Sequence, residues 1–199
     1  MPGRRTHAAP AALAALAACF IAATAHSQQL GCLDEVRQQA PAHGVPLIYA
    51  EAVTRAESGG GGEPNPLALN IDGNPVFRDS RQKAEIALLV ADSTHKSVDA
   101  GCMQIHVSAH RSRVSDIRTL FDPAVNVRIG LTLLAELHSR YGSWPKAVGA
   151  YNTARNAVAN LKYRCYVATF IDPLFSNPKC KEFQNAHRNG RGHNTVSFK

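Results

Sequence analysis

Glu57 is the residue of this 199-residue chain whose type and setting best suit proton-transfer chemistry. It ends a helical segment, 46–57, in which Ala50, Val53 and Glu57 share one face at spacings i, i+3 and i+7. The glycines at 59–62 end the helix and place the carboxyl group near the negative end of the helix dipole. Burial on an apolar face and the dipole both predict a raised pKa for this carboxyl group. A carboxyl group that stays protonated near neutral pH can act as a general acid.

The ordinary role of a helical glutamate is a solvated ion pair, and Glu51 has the spacing for one with Arg55. Glu57 has no basic residue at such a spacing. The simpler alternative for Glu57 is a hydrated side chain at a frayed helix end, and the local pattern leaves both interpretations open.

The first 25 residues have the features of a signal peptide. Arg4 and Arg5 form a basic region, residues 11–23 are apolar, and Ala23-Thr24-Ala25 is a small-x-small cleavage site. The apolar run is short for a membrane span. Because Leu16-Ala17-Ala18-Cys19 resembles a lipoprotein processing site, lipidation at Cys19 is the alternative to simple cleavage. We expect an exported, periplasmic protein without a transmembrane span in the mature chain.

Charge and composition limit the partners. The formal net charge is +7 at pH 7, and the chain stays basic after loss of the predicted signal peptide. A basic exported protein suits an anionic cell-wall polymer or membrane surface. No nucleic-acid-binding motif is present, so we expect no nucleic-acid partner.

Four cysteines remain beyond the predicted signal peptide: Cys32, Cys102, Cys165 and Cys180. An even number in an exported protein predicts two disulfides, and the sequence does not choose among the three pairings. The alternative is a metal site, because Cys102, His106 and His110 would align on one helix at i, i+4 and i+8. It lacks a fourth ligand, and we expect no metal and no cofactor.

The pattern beyond residue 25 predicts one mainly helical domain over 26–184, followed by a basic, disordered tail over 185–199. Alternating apolar residues around Asp72-Gly73 predict a small β-hairpin within 64–79. Residues 94–100 have the composition of a polar loop. A helix starts at Asp122-Pro123 and ends at Gly142, with Asn126 on its buried stripe. A last helix, about 156–170, has Val158, Leu161 and Cys165 as its predicted inward face.

Four segments together resemble a known family. They are Glu57-Ser58-Gly59-Gly60, Gly101-Cys102-Met103-Gln104-Ile105, Phe121-Asp122-Pro123-Ala124-Val125-Asn126 with Gly130, and Ala150-Tyr151-Asn152-Thr153. In this order they resemble the lytic transglycosylases of the soluble transglycosylase (SLT) type, most closely those that accompany type IV secretion, conjugation and pilus systems. The resemblance covers about residues 33–170. It implies a mainly α, lysozyme-like α+β fold with a small β-hairpin.

The resemblance also implies roles for individual residues. Glu57 would be the catalytic acid and base, and Ser58 would support it by hydrogen bonding. Four further residues would bind substrate: Met103 and Gln104 would line the sugar groove, and Tyr151 with Asn152 would face the scissile bond. Asn126 we interpret as structural. Met103 and Tyr151 could instead be ordinary core residues, whereas a polar amide such as Gln104 in an apolar segment needs a reason.

The chemistry that the resemblance implies needs one carboxylate, whereas an ordinary glycosidase uses two. The expected reaction is cleavage of peptidoglycan between N-acetylmuramic acid and N-acetylglucosamine, with formation of 1,6-anhydromuramoyl ends. The wall would be opened locally, in the service of an envelope-spanning machine. The alternatives are a lysozyme-type hydrolase of the same fold and a non-catalytic wall-binding assembly protein.

Overall fold

A computed structural model describes residues 30–60 and 62–171, together with residue 180. The predicted signal peptide with Cys19 and the predicted tail over 185–199 lie outside the described residues. None of the helices in the described part is long and apolar enough to cross a membrane.

Seven α-helices are present in the described residues, and they confirm the mainly helical prediction. They are α1 (Cys32–Gln39), α2 (Leu47–Thr54), α3 (Arg81–Ser93), α4 (Val107–His110), α5 (Pro123–Tyr141), α6 (Trp144–Asn152) and α7 (Ala157–Ile171). Short 3₁₀ turns cover Ala40–His43, Arg111–Arg113 and Ile117–Phe121.

The long helix α5 has the predicted boundaries because its ends carry strong local signals. The Asp122 side chain accepts a hydrogen bond from the Ala124 amide at 3.0 Å and caps the first turn. Gly142, at φ 71°, ends the helix in the left-handed conformation. The inner face of α5 is buried against α1 and α6, so this helix forms the centre of the core.

A four-stranded antiparallel sheet lies beside the helices, in the order β2-β1-β3-β4. Strands β1 (Leu69–Ile71) and β2 (Asn74–Val76) form the predicted hairpin around Asp72-Gly73. Strands β3 (Val98–Ala100) and β4 (Ile105–His106) extend it. The prediction of a loop over 94–100 is therefore wrong for 98–100. The strand was missed because Asp99 is polar and indicated a loop. In the structure Asp99 is only 2% exposed, and His106 on β4 pairs with it.

Helix α7 buries Cys165, as predicted, but the rest of its buried face differs from the prediction. Val158 is 65% exposed, whereas Tyr163 is 1% exposed and lies inward with Cys165. The ion pair proposed from spacing between Glu51 and Arg55 is also absent. Glu51 instead accepts from Arg37 on α1 at 2.8 Å.

Two disulfides join the four predicted cysteines, as Cys32–Cys102 and Cys165–Cys180. Because Cys102 is bonded to Cys32, it cannot be the thiolate of a metal site. The two histidines of that alternative also lie on different elements, His106 on β4 and His110 at the end of α4. Within the described residues, no group of three metal-binding side chains converges.

Candidate active site

Glu57 lies where the chain changes from an α-helix to a π turn. Helix α2 ends at Thr54, and Arg55–Gly59 continue as a single π-helical turn. Gly60 then reverses the chain in the left-handed conformation at φ 52°. Such π turns are rare in proteins, and those that occur frequently lie at functional sites. The Glu57 side chain is half-buried and lines a cleft.

A buried tyrosine holds the Glu57 carboxyl group. The hydroxyl group of Tyr163 on α7 donates a hydrogen bond to Glu57 Oε1 at 2.6 Å. Burial of the phenol raises the pKa of Tyr163 well above its usual value, and the nearby Glu57 charge raises it further. Tyr163 therefore remains protonated and able to donate a hydrogen bond at any physiological pH. Sequence reasoning missed this residue because it assigned the wrong buried face to α7.

The electrostatic effect of Glu57 extends to two more tyrosines. Burial, and then the Glu57 charge, raises the pKa of Tyr151 on α6 and of Tyr166 on α7. The Tyr151 hydroxyl donates to the Met103 carbonyl oxygen at 2.9 Å. Three phenol groups on two helices thus lie close enough for the charge of Glu57 to affect their pKa values.

The turn after β3 brings the Gly101–Gln104 segment beneath Glu57. Gly101, at φ 81°, is required there, because a Cβ would overlap the Asn126 amide and the Leu120 carbonyl. Gln104 also has a left-handed backbone, at φ 47°. Its side-chain amide donates to the carbonyl oxygens of Ala68 at 3.1 Å and of Gly101 at 3.0 Å. These bonds fix the Gln104 side chain at the cleft.

Asn126 clamps this turn to α5. It is fully buried, and its Oδ1 accepts from the Met103 amide at 2.8 Å. Its Nδ2 donates to the carbonyl oxygens of Ala100 and Leu120, each at 2.8 Å. The amide group therefore satisfies three buried backbone groups, which agrees with the structural role expected from the sequence.

Met103 differs from its expected position. Its side chain is 0% exposed and packs against Gly130, where a Cβ would overlap it. It therefore lies in the core beneath the cleft and cannot touch a sugar, although its carbonyl oxygen anchors Tyr151. Ser58 also lies below the cleft, and its hydroxyl donates to the Cys102 carbonyl oxygen at 2.7 Å. That bond ties the π turn to the Gly101–Gln104 segment.

The cleft has a volume of about 590 Å³. Four of the residues expected from the sequence line it together: Glu57, Gln104, Tyr151 and Asn152. Its other walls come from the sheet, from the chain after β4 and from α5. They contribute residues that sequence reasoning did not single out for this site: Asp99, His106, His110, Arg113, Glu136 and Arg140.

The two additional carboxylates of the cleft are held by basic side chains. Asp99 Oδ1 lies 2.8 Å from His106 Nδ1, and His106 Nε2 lies 3.1 Å from Ser108 Oγ. Both oxygens of Glu136 accept from Arg113, at 2.9 and 3.1 Å. The Glu57 carboxyl group, for comparison, accepts a hydrogen bond from a neutral phenol.

The helical domain and its small antiparallel sheet are consistent with a mainly α, lysozyme-like fold. The transglycosylase SLT domain family model matches residues 36–166, more than half of the chain. The chain belongs to this family. Neither the curated proteins nor the solved structures contain a significant match to it.

Membership supports lytic transglycosylase activity on peptidoglycan and thereby an extracytoplasmic location. The predicted disulfides, present in the structure, fit an oxidising compartment.

Proposed function

We propose that this protein is a peptidoglycan lytic transglycosylase that uses Glu57 for both proton transfers. It cleaves the β-1,4 bond between N-acetylmuramic acid and N-acetylglucosamine and leaves 1,6-anhydromuramoyl ends. The observation that carries the proposal is the hydrogen bond from the buried Tyr163 hydroxyl to Glu57 at 2.6 Å, within a cleft lined by Gln104 and Tyr151.

The reaction begins with a proton transfer from the Glu57 carboxyl group to the glycosidic oxygen. The substrate's own N-acetyl group stabilises the positive charge that develops on the muramic acid ring. Glu57, now ionised, removes the proton from the 6-hydroxyl of the same sugar, and that oxygen closes the anhydro ring. Intramolecular attack has a proximity advantage of up to about 7–11 kcal/mol in well-oriented systems. The hydrogen bond from Tyr163 holds the carboxyl group in place.

The rival product requires water and a second carboxylate to activate it. Asp99 and Glu136 line the cleft, but each is already engaged by a basic side chain, His106 or Arg113. A general base must be free to contact the water that it activates, so these residues are poor candidates for that role.

The first experiment is the Glu57→Gln variant, assayed for release of soluble fragments from purified peptidoglycan. Gln keeps the size of the side chain but has no proton to give, and general acid catalysis contributes about 10²–10⁴-fold. We expect a loss of at least this size. Glu51→Gln is the matched control, because it makes the same change in helix α2, six residues before Glu57. Glu51 pairs with Arg37 there and does not line the cleft. Near-parental activity of a folded Glu57→Gln protein would refute the assignment.

The second experiment identifies the product by mass spectrometry of digested peptidoglycan. Anhydro ends lack one water and resist borohydride reduction. Fragments heavier by one water, with reducible ends, would indicate a lysozyme-type hydrolase and refute the transglycosylase chemistry.

We further propose that the enzyme is exported and opens the wall locally for a secretion, conjugation or pilus machine. The resemblance of its motifs to those of such specialised enzymes supports this role. A deletion strain should lose assembly of the machine, and the parental gene should restore it where the Glu57→Gln gene does not. Full restoration by the inactive gene would instead favour a non-catalytic assembly protein.

A further inference from the structure

One wall of the cleft carries most of its charged side chains. On α5, Leu133, Glu136, Leu137 and Arg140 lie at spacings i, i+3, i+4 and i+7, and all four line the cleft. Strand β4 and the chain after it bring His106, His110 and Arg113 to the same cleft. We call His106, His110, Arg113 and Arg140 the basic wall.

The charges on this wall are only partly balanced. Glu136 neutralises Arg113, and Asp99 faces His106. Arg140 forms no ion pair with a carboxylate of the described residues, and its side chain is exposed.

His110 lies among charges of both signs. Burial lowers the pKa of His110, the positive charges of Arg113 and His106 lower it further, and Glu136 acts in the opposite direction. Arg140 therefore carries the positive charge of this wall that no carboxylate of the described residues balances.

The sugars of the proposed substrate are neutral, but its muramic acid residues carry carboxylates. Each bears a lactyl ether, which ends either in a free carboxylate or in an amide bond to a stem peptide with carboxylates of its own. We propose that the basic wall is a subsite for the carboxylates attached to muramic acid, with Arg140 as its principal ligand. This inference deepens the proposed function and rests on it. Arginine suits the task because its planar fork matches a carboxylate.

The test measures binding in the Glu57→Gln background, so that probes stay intact. Three tetrasaccharide probes of alternating N-acetylglucosamine and N-acetylmuramic acid are compared by calorimetry. The first has free lactyl carboxylates, the second has neutral lactyl methylamides, and the third carries tripeptide stems. An exposed ion pair contributes about two- to fivefold in affinity. We expect both acidic probes, or one of them, to bind better than the neutral probe by at least this factor.

Arg140→Gln should remove that preference. Arg128→Gln is the matched control, because Arg128 is an exposed arginine on the same helix and does not line the cleft. Loss of the preference in Arg140→Gln alone supports the subsite, and the acidic probe affected identifies the lactyl group or the stem peptide as the source of the carboxylate.

Equal ratios of acidic to neutral affinity in the parent, Arg140→Gln and Arg128→Gln proteins would overturn the subsite. Thermal melts confirm that the variants are folded. Failure of the proposed function would appear separately, as peptidoglycan cleavage that survives Glu57→Gln.

Discussion

Replacing Tyr163 by phenylalanine removes one hydroxyl group from the site and leaves the buried ring in place. That hydroxyl donates to Glu57 Oε1 at 2.6 Å. A hydrogen bond to a charged group contributes about 1.5–3 kcal/mol. If the whole of this contribution acts in the transition state, Tyr163→Phe lowers kcat about 10- to 150-fold. KM should change little, because Tyr163 is 1% exposed and cannot touch a sugar.

The assay is the initial rate of release of anhydromuropeptides, measured over a range of peptidoglycan concentrations to separate kcat from KM. Tyr49→Phe is the matched control, because Tyr49 stacks on Trp144 at 5.9 Å between ring centres and does not line the cleft. It should keep the parental kcat. A double-mutant cycle adds a further comparison: in a Glu57→Gln background, Tyr163→Phe should cost almost nothing more.

Two results would refute this reasoning. One is a kcat for Tyr163→Phe within twofold of the Tyr49→Phe value. The other is additive losses in the cycle, because independent effects would mean that Tyr163 does not act through Glu57.

Further predictions concern the scaffold. Asn126→Ala leaves three buried backbone groups without a partner, at about 1–3 kcal/mol each, so urea unfolding should show a loss of at least 3 kcal/mol; a loss below 1 kcal/mol would contradict the clamp. The bridges close loops with sequence separations of 70 and 15, worth about 4 and 3 kcal/mol. Replacing Cys32 and Cys102 by serine should also lower activity more than replacing Cys165 and Cys180, because only the first bridge adjoins the turn under the cleft; equal activities would argue against this. The tyrosines near Glu57 have a pKa raised by burial and by its charge, so the unfolded chain releases their protons at a lower pH than the folded chain does. Stability should therefore fall as pH rises above about 10, and a flat profile of unfolding free energy from pH 9 to 11 would be inconsistent with the buried phenols.

Local signals in the sequence predicted much of the fold. The cap and the terminal glycine of α5 fixed its ends, and the Asp72-Gly73 turn predicted the hairpin. These features depend on residues close together in the chain, so they can be predicted without knowing which distant segments pack against them. Strand β3 was missed because its pairing with β1 and β4, and the contact of Asp99 with His106, involve residues in other strands.

The candidate site also has a part that the sequence predicted and a part that it did not. The type and position of Glu57, the polar Gln104 and the Tyr151-Asn152 pair were recognisable as motif residues, and the structure brings all four to one cleft. Met103 was recognisable too, but its place in the core depends on the space that Gly130 leaves on a helix 27 positions later.

The sequence by itself determined that the chain has a helical domain, an unusual carboxylate at the end of a helix, and an even set of cysteines. Only the tertiary structure decided which cysteines pair, that Tyr163 holds Glu57, and that a basic wall faces the cleft. The physical reason is that helix ends and turns are set by interactions within a few residues, whereas the surroundings of Glu57 come from α2, α6 and α7. Their packing brings together groups that no local pattern connects.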